Sequence, residues 1–202
     1  MNHTKIKICG LTQKRDIEFI NLLRPDFIGF VFAERSRRYI TPERAAKLRE
    51  ILSPGIMPVG VFVNEPLENV TGLLQDGTIG MAQLHGRESR AYIASLRETT
   101  GKPVIKAFRI EHTEDMERAI QSPADFILLD HGTGGTGRIF DWSLIENVTR
   151  PFFLAGGLHA ENVAAAVRLT HPYAVDTSSG VETNHIKDPE KMQKFIHAVR
   201  ED

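Results

Sequence analysis

The sequence has little of what several protein classes require. Its 202 residues include one cysteine, and 7% of them are aromatic. A lone cysteine excludes an internal disulfide and a zinc site built from clustered cysteines. No spacing of His, Asp and Glu residues demands a metal ion. The net charge of −1 gives no sign of a partner such as nucleic acid or an acidic membrane.

Long apolar segments are also missing. No run approaches the ~20 residues of a membrane span, and residues 1–8 lack the apolar core of a signal peptide. A chain of this kind is expected to be soluble and cytoplasmic, in a reducing compartment. At this size and near-neutral charge we expect a monomer.

What the sequence does have is a regular alternation of short apolar runs and amphipathic stretches. The apolar runs predict strands at 5–9, 27–32, 57–63, 79–84, 103–108, 125–129, 152–155 and 174–176. The amphipathic stretches predict helices at 13–23, 42–52, 66–75, 89–99, 114–121, 143–147, 161–169 and 189–199. Thr12, Thr41 and Asp188 are the expected caps of the first, second and last helices.

Strands that alternate with helices form a parallel sheet. Eight strand–helix units without a break in composition favour one closed (β/α)8 barrel, an α/β fold with a single domain over residues 1–202. An open doubly wound sheet is the alternative, but no Gly-x-Gly-x-x-Gly follows the first strand.

In such a barrel, the carboxyl ends of the strands and the loops after them share one face, where ligands bind. The sequence places polar residues and glycines on that face, namely Cys9, residues 35–38, Asn64, His85, Arg109, Asp130, residues 134–137, Gly156, Gly157 and residues 176–180. The face is therefore the predicted site.

Glycines after the last two strands are the clearest sign of a ligand. Gly156 and Gly157 follow the seventh strand, and Ser179 and Gly180 follow the eighth. Glycine lets backbone amides approach an anion, and barrels often hold phosphate in these two loops. The same glycines also suit tight turns, but their presence in both loops favours phosphate.

The residue types alone leave several roles open. Cys9 is either a small buried apolar residue or a thiolate that acts as base or nucleophile. Asp130 ends an apolar run, where partial burial suits a general acid, although aspartate also commonly turns a chain. One arginine among residues 35–38 can bind a carboxylate, or the cluster is solvated. His85 contacts ligand or bonds within its loop, and residues 134–137 are interpreted as a loop that closes over a ligand.

Recognisable motifs run along the whole chain. They are Lys7-Ile8-Cys9-Gly10-Leu11, Gly29-Phe30-Val31-Phe32, Ser36-Arg37-Arg38-Tyr39-Ile40, Gly60-Val61-Phe62-Val63-Asn64, Gln83-Leu84-His85-Gly86, Leu129-Asp130, Gly134-Gly135-Thr136-Gly137, Phe140-Asp141-Trp142, Ala155-Gly156-Gly157-Leu158 and Val175-Asp176-Thr177-Ser178-Ser179-Gly180-Val181-Glu182. Taken together, these motifs resemble those of the phosphoribosylanthranilate isomerase family of tryptophan biosynthesis.

The resemblance implies a (β/α)8 barrel and a cofactor-free Amadori rearrangement of a phosphoribosylated anthranilate. It implies that Asp130 is the general acid, that Cys9 is the general base, and that Arg38 binds the anthranilate carboxylate. It further implies a phosphate site at the amides of Gly156, Gly157, Ser179 and Gly180, and a pocket wall that includes His85 and Asp176. Because a base must first lose its proton, we expect a lowered pKa for the Cys9 thiol.

Two positions depart from the family pattern. His185 stands where the family commonly has a glycine, which makes the path of that loop uncertain from sequence. His131 follows Asp130 where many relatives carry Thr or Ser, and we expect its side chain to face water. Rival interpretations are another sugar-phosphate barrel isomerase, such as the histidine-pathway enzyme with two aspartates, and a phosphate-metabolite binding protein without catalysis.

Overall fold

The structure is a computed structural model that describes residues 4–130, 145 and 148–201. Eight parallel strands form a closed barrel in chain order, and β8 returns to pair with β1. The predicted barrel is therefore confirmed. The strands are β1 (Lys5–Cys9), β2 (Phe27–Val31), β3 (Met57–Phe62), β4 (Met81–Leu84), β5 (Val104–Arg109), β6 (Phe126–Asp130), β7 (Phe152–Leu154) and β8 (Ala174–Thr177).

Helices pack on the outside of this barrel. They are α1 (Lys14–Leu23), α2 (Pro42–Glu50), α3 (Leu67–Gln75), α4 (Arg90–Thr100), α5 (Thr113–Ile120), α6 (Ala160–Thr170) and α7 (Pro189–Arg200). The helix predicted at 143–147 falls almost entirely outside the described residues. Among the described helices, none is long and apolar enough to cross a membrane.

Helix starts follow the predicted caps with one exception. The Thr41 hydroxyl accepts a hydrogen bond from the Arg44 N–H, and the Asp188 carboxylate accepts from two N–H groups of α7. The Thr12 prediction is wrong, because Gln13 is the N-cap of α1. The buried Asp16 carboxylate accepts from the N–H groups of both Thr12 and Gln13, so it satisfies two amides that a Thr12 hydroxyl could not.

Burial separates the two faces of β1. Ile6 and Ile8 pack in the core between barrel and helices, whereas Lys5, Lys7 and Cys9 alternate with them and face the barrel interior. Lys7 is fully buried and pairs with Asp176, its register partner on β8. A second packed cluster of buried side chains consists of Phe27, Val59, Met81, Ile105, Ala107, Leu128, Phe153, Ala155 and Ala174.

A small hairpin that was not predicted follows β8. A 3₁₀ helix (Ser179–Val181) leads into β9 (Glu182–Thr183), which pairs antiparallel with β10 (Ile186–Lys187). The two loop residues, Asn184 and His185, have φ of 51° and 64°, as the tightest hairpin turns require. His185 therefore follows the backbone path that a glycine would take, and it does so in a conformation that strains a residue with a Cβ.

We expect His185→Gly to raise the free energy of unfolding by about 0.5–1 kcal/mol, because glycine adopts a positive φ without steric strain. Urea denaturation measures the change. His185→Ala is the matched control: both variants lose the exposed contact of 3.1 Å with Arg37, but only glycine relieves the backbone. Equal stability of the two variants would contradict the explanation.

Candidate active site

A cavity opens at the carboxyl ends of the barrel strands. Its wall contains the nine residues to which the family resemblance gave a role, namely Cys9, Arg38, His85, Asp130, Asp176, Gly156, Gly157, Ser179 and Gly180. Cys9 packs with Val31 and Val61 into a small apolar cluster on this wall. The predicted placement of these residues around one mouth therefore agrees with the structure.

Among the described residues, Arg35, Asn64 and Arg109 were expected at the mouth but do not line this cavity. Asn64 organises a loop instead, because its side-chain oxygen accepts from the Arg87 N–H at 2.6 Å. Arg109 is half exposed and pairs with Glu111 at 2.6 Å. Arg35 is exposed. His131 and the glycine-rich residues 134–137 lie outside the described residues.

The surroundings of Cys9 correct one expectation. Burial raises the pKa of the Cys9 thiol, and the nearby Lys7 ammonium only partly opposes that rise. The expected lowering of its pKa is therefore wrong for this structure. The sequence alone could not have shown this, because the balance depends on how deeply the thiol is buried and on charges from other strands.

Lys7 is a buried charged residue beside this site, and no role was predicted for it from sequence. Its Nζ donates to Asp176 Oδ2 at 2.9 Å, and both side chains are buried. Burial alone would lower the pKa of Lys7, but Asp176 and Cys9 raise it above its ordinary value. The sequence signal that could have identified Lys7 was the alternation of side chains along a strand. Residues two apart share a face, and Lys7 lies two residues before Cys9.

Asp130 faces a histidine across the mouth. His85 Nε2 lies 3.6 Å from Asp130 Oδ2, and His85 Nδ1 lies 3.2 Å from the amide nitrogen of Gln83. Gln83 is buried, and its Oε1 has no hydrogen-bond partner among the described residues. The buried amide thus orients an imidazole whose other nitrogen points toward the carboxyl that ends β6.

Arg38 is held by the unpredicted hairpin. Glu182 accepts from Arg38 Nε at 2.7 Å and from Nη2 at 2.8 Å, and it also accepts from Lys187 Nζ at 2.5 Å. Burial would raise the pKa of Glu182, but the two cations lower it below its ordinary value. A guanidinium has five N–H donors, so Arg38 keeps its outer edge for a second carboxylate.

The two glycine loops are in direct contact. A Cβ at Gly180 would lie 2.0 Å from the carbonyl oxygen of Leu158, so only glycine permits the loops after β7 and β8 to approach this closely. At Gly157 a Cβ would meet nothing within 4 Å, but its φ of 67° favours glycine. The loops thereby form one wall of exposed backbone beside the cavity.

This combination defines a class. A closed parallel barrel whose carboxyl-end cavity gathers a thiol, carboxylates, an arginine and glycine-rich loops is the arrangement of (β/α)8-barrel enzymes. Within the part of the chain that the structure describes, no group of three or more His, Cys, Asp or Glu side chains could hold a metal ion.

Comparisons with known proteins identify the family within that class. Residues 6–198 match the family model described as N-(5'phosphoribosyl)anthranilate (PRA) isomerase. A protein named N-(5'-phosphoribosyl)anthranilate isomerase from Endomicrobium trichonymphae is 45% identical over 200 residues, which span 97% of this chain and 98% of that one. The chain belongs to the N-(5'-phosphoribosyl)anthranilate isomerase family.

Solved structures agree with this assignment. Phosphoribosyl anthranilate isomerase from Thermotoga maritima superposes with a TM-score of 0.91 at 38% identity, covering 98% of this chain and 100% of that one. A second phosphoribosyl anthranilate isomerase, at TM-score 0.89 and 37% identity, also covers 98% of this chain and 100% of its own. It was solved in complex with reduced 1-(o-carboxyphenylamino)-1-deoxyribulose 5-phosphate.

Proposed function

We propose that this protein converts N-(5-phosphoribosyl)anthranilate into 1-(2-carboxyphenylamino)-1-deoxyribulose 5-phosphate in tryptophan biosynthesis. The observation that carries the proposal is the meeting of Cys9, Asp130, Arg38 and the two glycine loops at one cavity. The family and the ligand of the second solved relative support the same substrate class.

Asp130 and Cys9 are the proposed acid and base. Asp130 protonates the furanose ring oxygen, the ring C–O bond breaks, and the anilino nitrogen lone pair forms an iminium. The Cys9 thiolate then takes the C2′ proton, and the C–H electron pair returns to the iminium to give an enolamine that tautomerises to the ketone. The two residues end β1 and β6, which places them on separate strands around one mouth. Both groups are side chains, so the proposed reaction uses no cofactor.

The remaining residues are proposed to bind the two ends of the substrate. The outer edge of Arg38 matches the anthranilate carboxylate, because a guanidinium pairs with a carboxylate through two parallel hydrogen bonds. The backbone of Gly156, Gly157, Ser179 and Gly180 suits the phosphate. His85 and Asp176 lie on the wall between these ends and are proposed to contact the ribosyl part.

We propose that the protein works in the cytoplasm and that it is a monomer. A free thiol that works as a base suits a reducing compartment. The described residues already enclose a cavity within one chain. One solved relative is a monomer generated from the dimeric phosphoribosylanthranilate isomerase of Thermotoga maritima. Sedimentation velocity distinguishes the two assemblies for this chain.

The test of the function is turnover of freshly generated N-(5-phosphoribosyl)anthranilate, followed by the loss of its fluorescence. We expect the purified protein alone to consume it, and we expect the reduced product analogue to inhibit competitively. Binding of that analogue without turnover would support a binding protein instead. If the protein neither binds the analogue nor turns over N-(5-phosphoribosyl)anthranilate, the proposed substrate is rejected. Another sugar-phosphate isomerisation would then be the function to test.

A further inference from the structure

We propose that the buried Lys7–Asp176 pair is a positioning device that sets the ionisation of Cys9, with Lys7 favouring the thiolate and Asp176 opposing it. The inference deepens the proposed function, since it concerns how the proposed base becomes charged. It rests on the geometry of three side chains that enter the barrel from two adjacent strands.

Register brings the three groups together. Lys7 and Cys9 lie two residues apart on β1 and so share the inner face. Asp176 on β8 is the register partner of Lys7, and the Nζ–Oδ2 distance is 2.9 Å. Lys7 has 0% exposure, and Cys9 and Asp176 have 8% each. Charges interact more strongly in such a buried site than in water, because the effective dielectric constant is lower.

The ammonium group of Lys7 interacts with two acidic groups, the Asp176 carboxylate and the Cys9 thiol. It hydrogen bonds to Asp176, and its positive charge also acts on the Cys9 thiol, which lies on the same face of β1. When the thiol loses its proton to water, Lys7 therefore lies between two anions. Asp176 Oδ1 is buried without a hydrogen-bond partner among the described residues, so nothing described there neutralises its share of the negative charge.

Other charged groups also face this centre. Lys187 on β10 favours the Cys9 thiolate, and Arg38 from the loop after β2 interacts with it. Asp130 at the end of β6 and His85 after β4 act on Asp176. Lys7 is the cation with the larger effect on Cys9, because it lies on the same strand face and is fully buried. Lys187 is committed to Glu182 and to the Ser178 carbonyl.

The proposal predicts opposite effects for the two members of the pair. In Lys7→Met the thiolate loses its cation, so ionisation of Cys9 moves to higher pH. In Asp176→Asn the repelling carboxylate is gone and Lys7 pairs with the sulfur alone, so ionisation moves to lower pH. A neighbouring charge within ~4–6 Å changes a pKa by roughly 1–3, so each midpoint is expected to move by about one pH unit or more.

Iodoacetamide alkylation measures this directly, because Cys9 is the only cysteine in the sequence. The thiolate sulfur displaces iodide, and the rate plotted against pH gives the midpoint of thiol ionisation without any substrate turnover. Lys5→Met is the matched control: Lys5 lies on the same strand and face, but near the aromatic rings of Phe27 and Tyr173. Its midpoint is expected to equal that of the wild type.

Each outcome decides the proposal. Opposite movements in Lys7→Met and Asp176→Asn support it, whereas unchanged midpoints, movements of the same sign, or a larger effect of Lys187→Met overturn it. A single variant can fail to fold because it leaves one buried charge without its partner. In that case the double variant Lys7→Met/Asp176→Asn is used instead, because it removes both charges of the pair. Its midpoint is expected above that of the wild type, since Lys7 has the larger effect, and a midpoint at or below wild type overturns the proposal.

The same experiment separates this inference from the proposed function. Alkylation needs no N-(5-phosphoribosyl)anthranilate, so a protein that does not turn it over still reports the ionisation of Cys9. If the wild type is active, the rising limb of its kcat/KM–pH profile is expected to follow the alkylation midpoint in each variant. Activity with no movement of either quantity would overturn the role of the pair and leave the isomerase proposal intact.

Discussion

Replacing Asp130 with asparagine is expected to lower kcat for N-(5-phosphoribosyl)anthranilate by about 10²-fold or more, because the amide cannot deliver a proton to the ring oxygen. Asparagine keeps the shape of the side chain, so binding of the reduced product analogue is expected to change little. Cys9→Ser is expected to lower kcat by a similar factor, since a hydroxyl is a far weaker acid than a thiol and supplies almost no anionic base.

Fluorescence-monitored turnover with the variants side by side checks both roles. Asp125→Asn is the matched control for the first substitution. Asp125 immediately precedes β6 and pairs with Arg97 at 2.7 Å, at the opposite end of the strand from Asp130. Full activity in Asp130→Asn or Cys9→Ser would remove the proposed role from that residue, even though the family membership would stand.

Why the barrel could be predicted is visible in β2. All five residues of Phe27–Val31 are buried, as in a strand covered on both faces, and such continuous apolar runs between amphipathic helices indicate a parallel sheet. Once the strands are assigned, the carboxyl-end rule places Cys9, His85 and Asp130 at one mouth without further information. The site was predictable because its residues follow strands directly.

The hairpin of β9 and β10 was not predictable by the same means. Each strand has two residues, too short for any periodicity to appear. Neither Glu182 nor Lys187 was accordingly predicted from sequence to have a role, whereas the structure buries both side chains and Glu182 holds Arg38. Their pairing depends on a turn through Asn184 and His185, and neither residue is the glycine that would have signalled that turn.

The charge state of Cys9 shows a different limit. A thiol at a strand end suggests a reactive group, but burial and the carboxylate of Asp176 act against ionisation while Lys7 and Lys187 act for it. The outcome is the balance between burial and opposing charges on β1, β8 and β10. Composition and spacing identify the participants in such a balance, but only the distances between them decide its sign.

Loss of the Glu88 carboxylate is expected to have the largest effect on stability. Glu88 Oε2 accepts from Lys106 Nζ at 2.9 Å, and the two side chains are 1% and 8% exposed. Its Oε1 accepts from the Asn64 N–H at 2.8 Å, and the Gly86 N–H donates to the same carboxylate. This one side chain therefore ties together the loops after β3 and β4 and neutralises a lysine that enters from β5.

We expect Glu88→Ala to lower the free energy of unfolding by about 3–5 kcal/mol, because removing one partner of a buried ion pair leaves the other charge uncompensated. Carbonyl oxygens of Leu84 and Gly86 still accept from Lys106, but neither carries a full negative charge. Urea denaturation measures the loss, and Glu98→Ala on the exposed face of α4 is the control, expected within about 0.5 kcal/mol of wild type.

The double variant Glu88→Ala/Lys106→Met separates charge from loop anchoring. If the uncompensated lysine causes most of the loss, replacing it with methionine is expected to restore part of the stability of Glu88→Ala. If the hydrogen bonds to Asn64 and Gly86 dominate instead, the double variant will be no more stable than Glu88→Ala. Because His85 directly precedes Gly86, the second outcome would also make Glu88 the anchor that positions the imidazole facing Asp130.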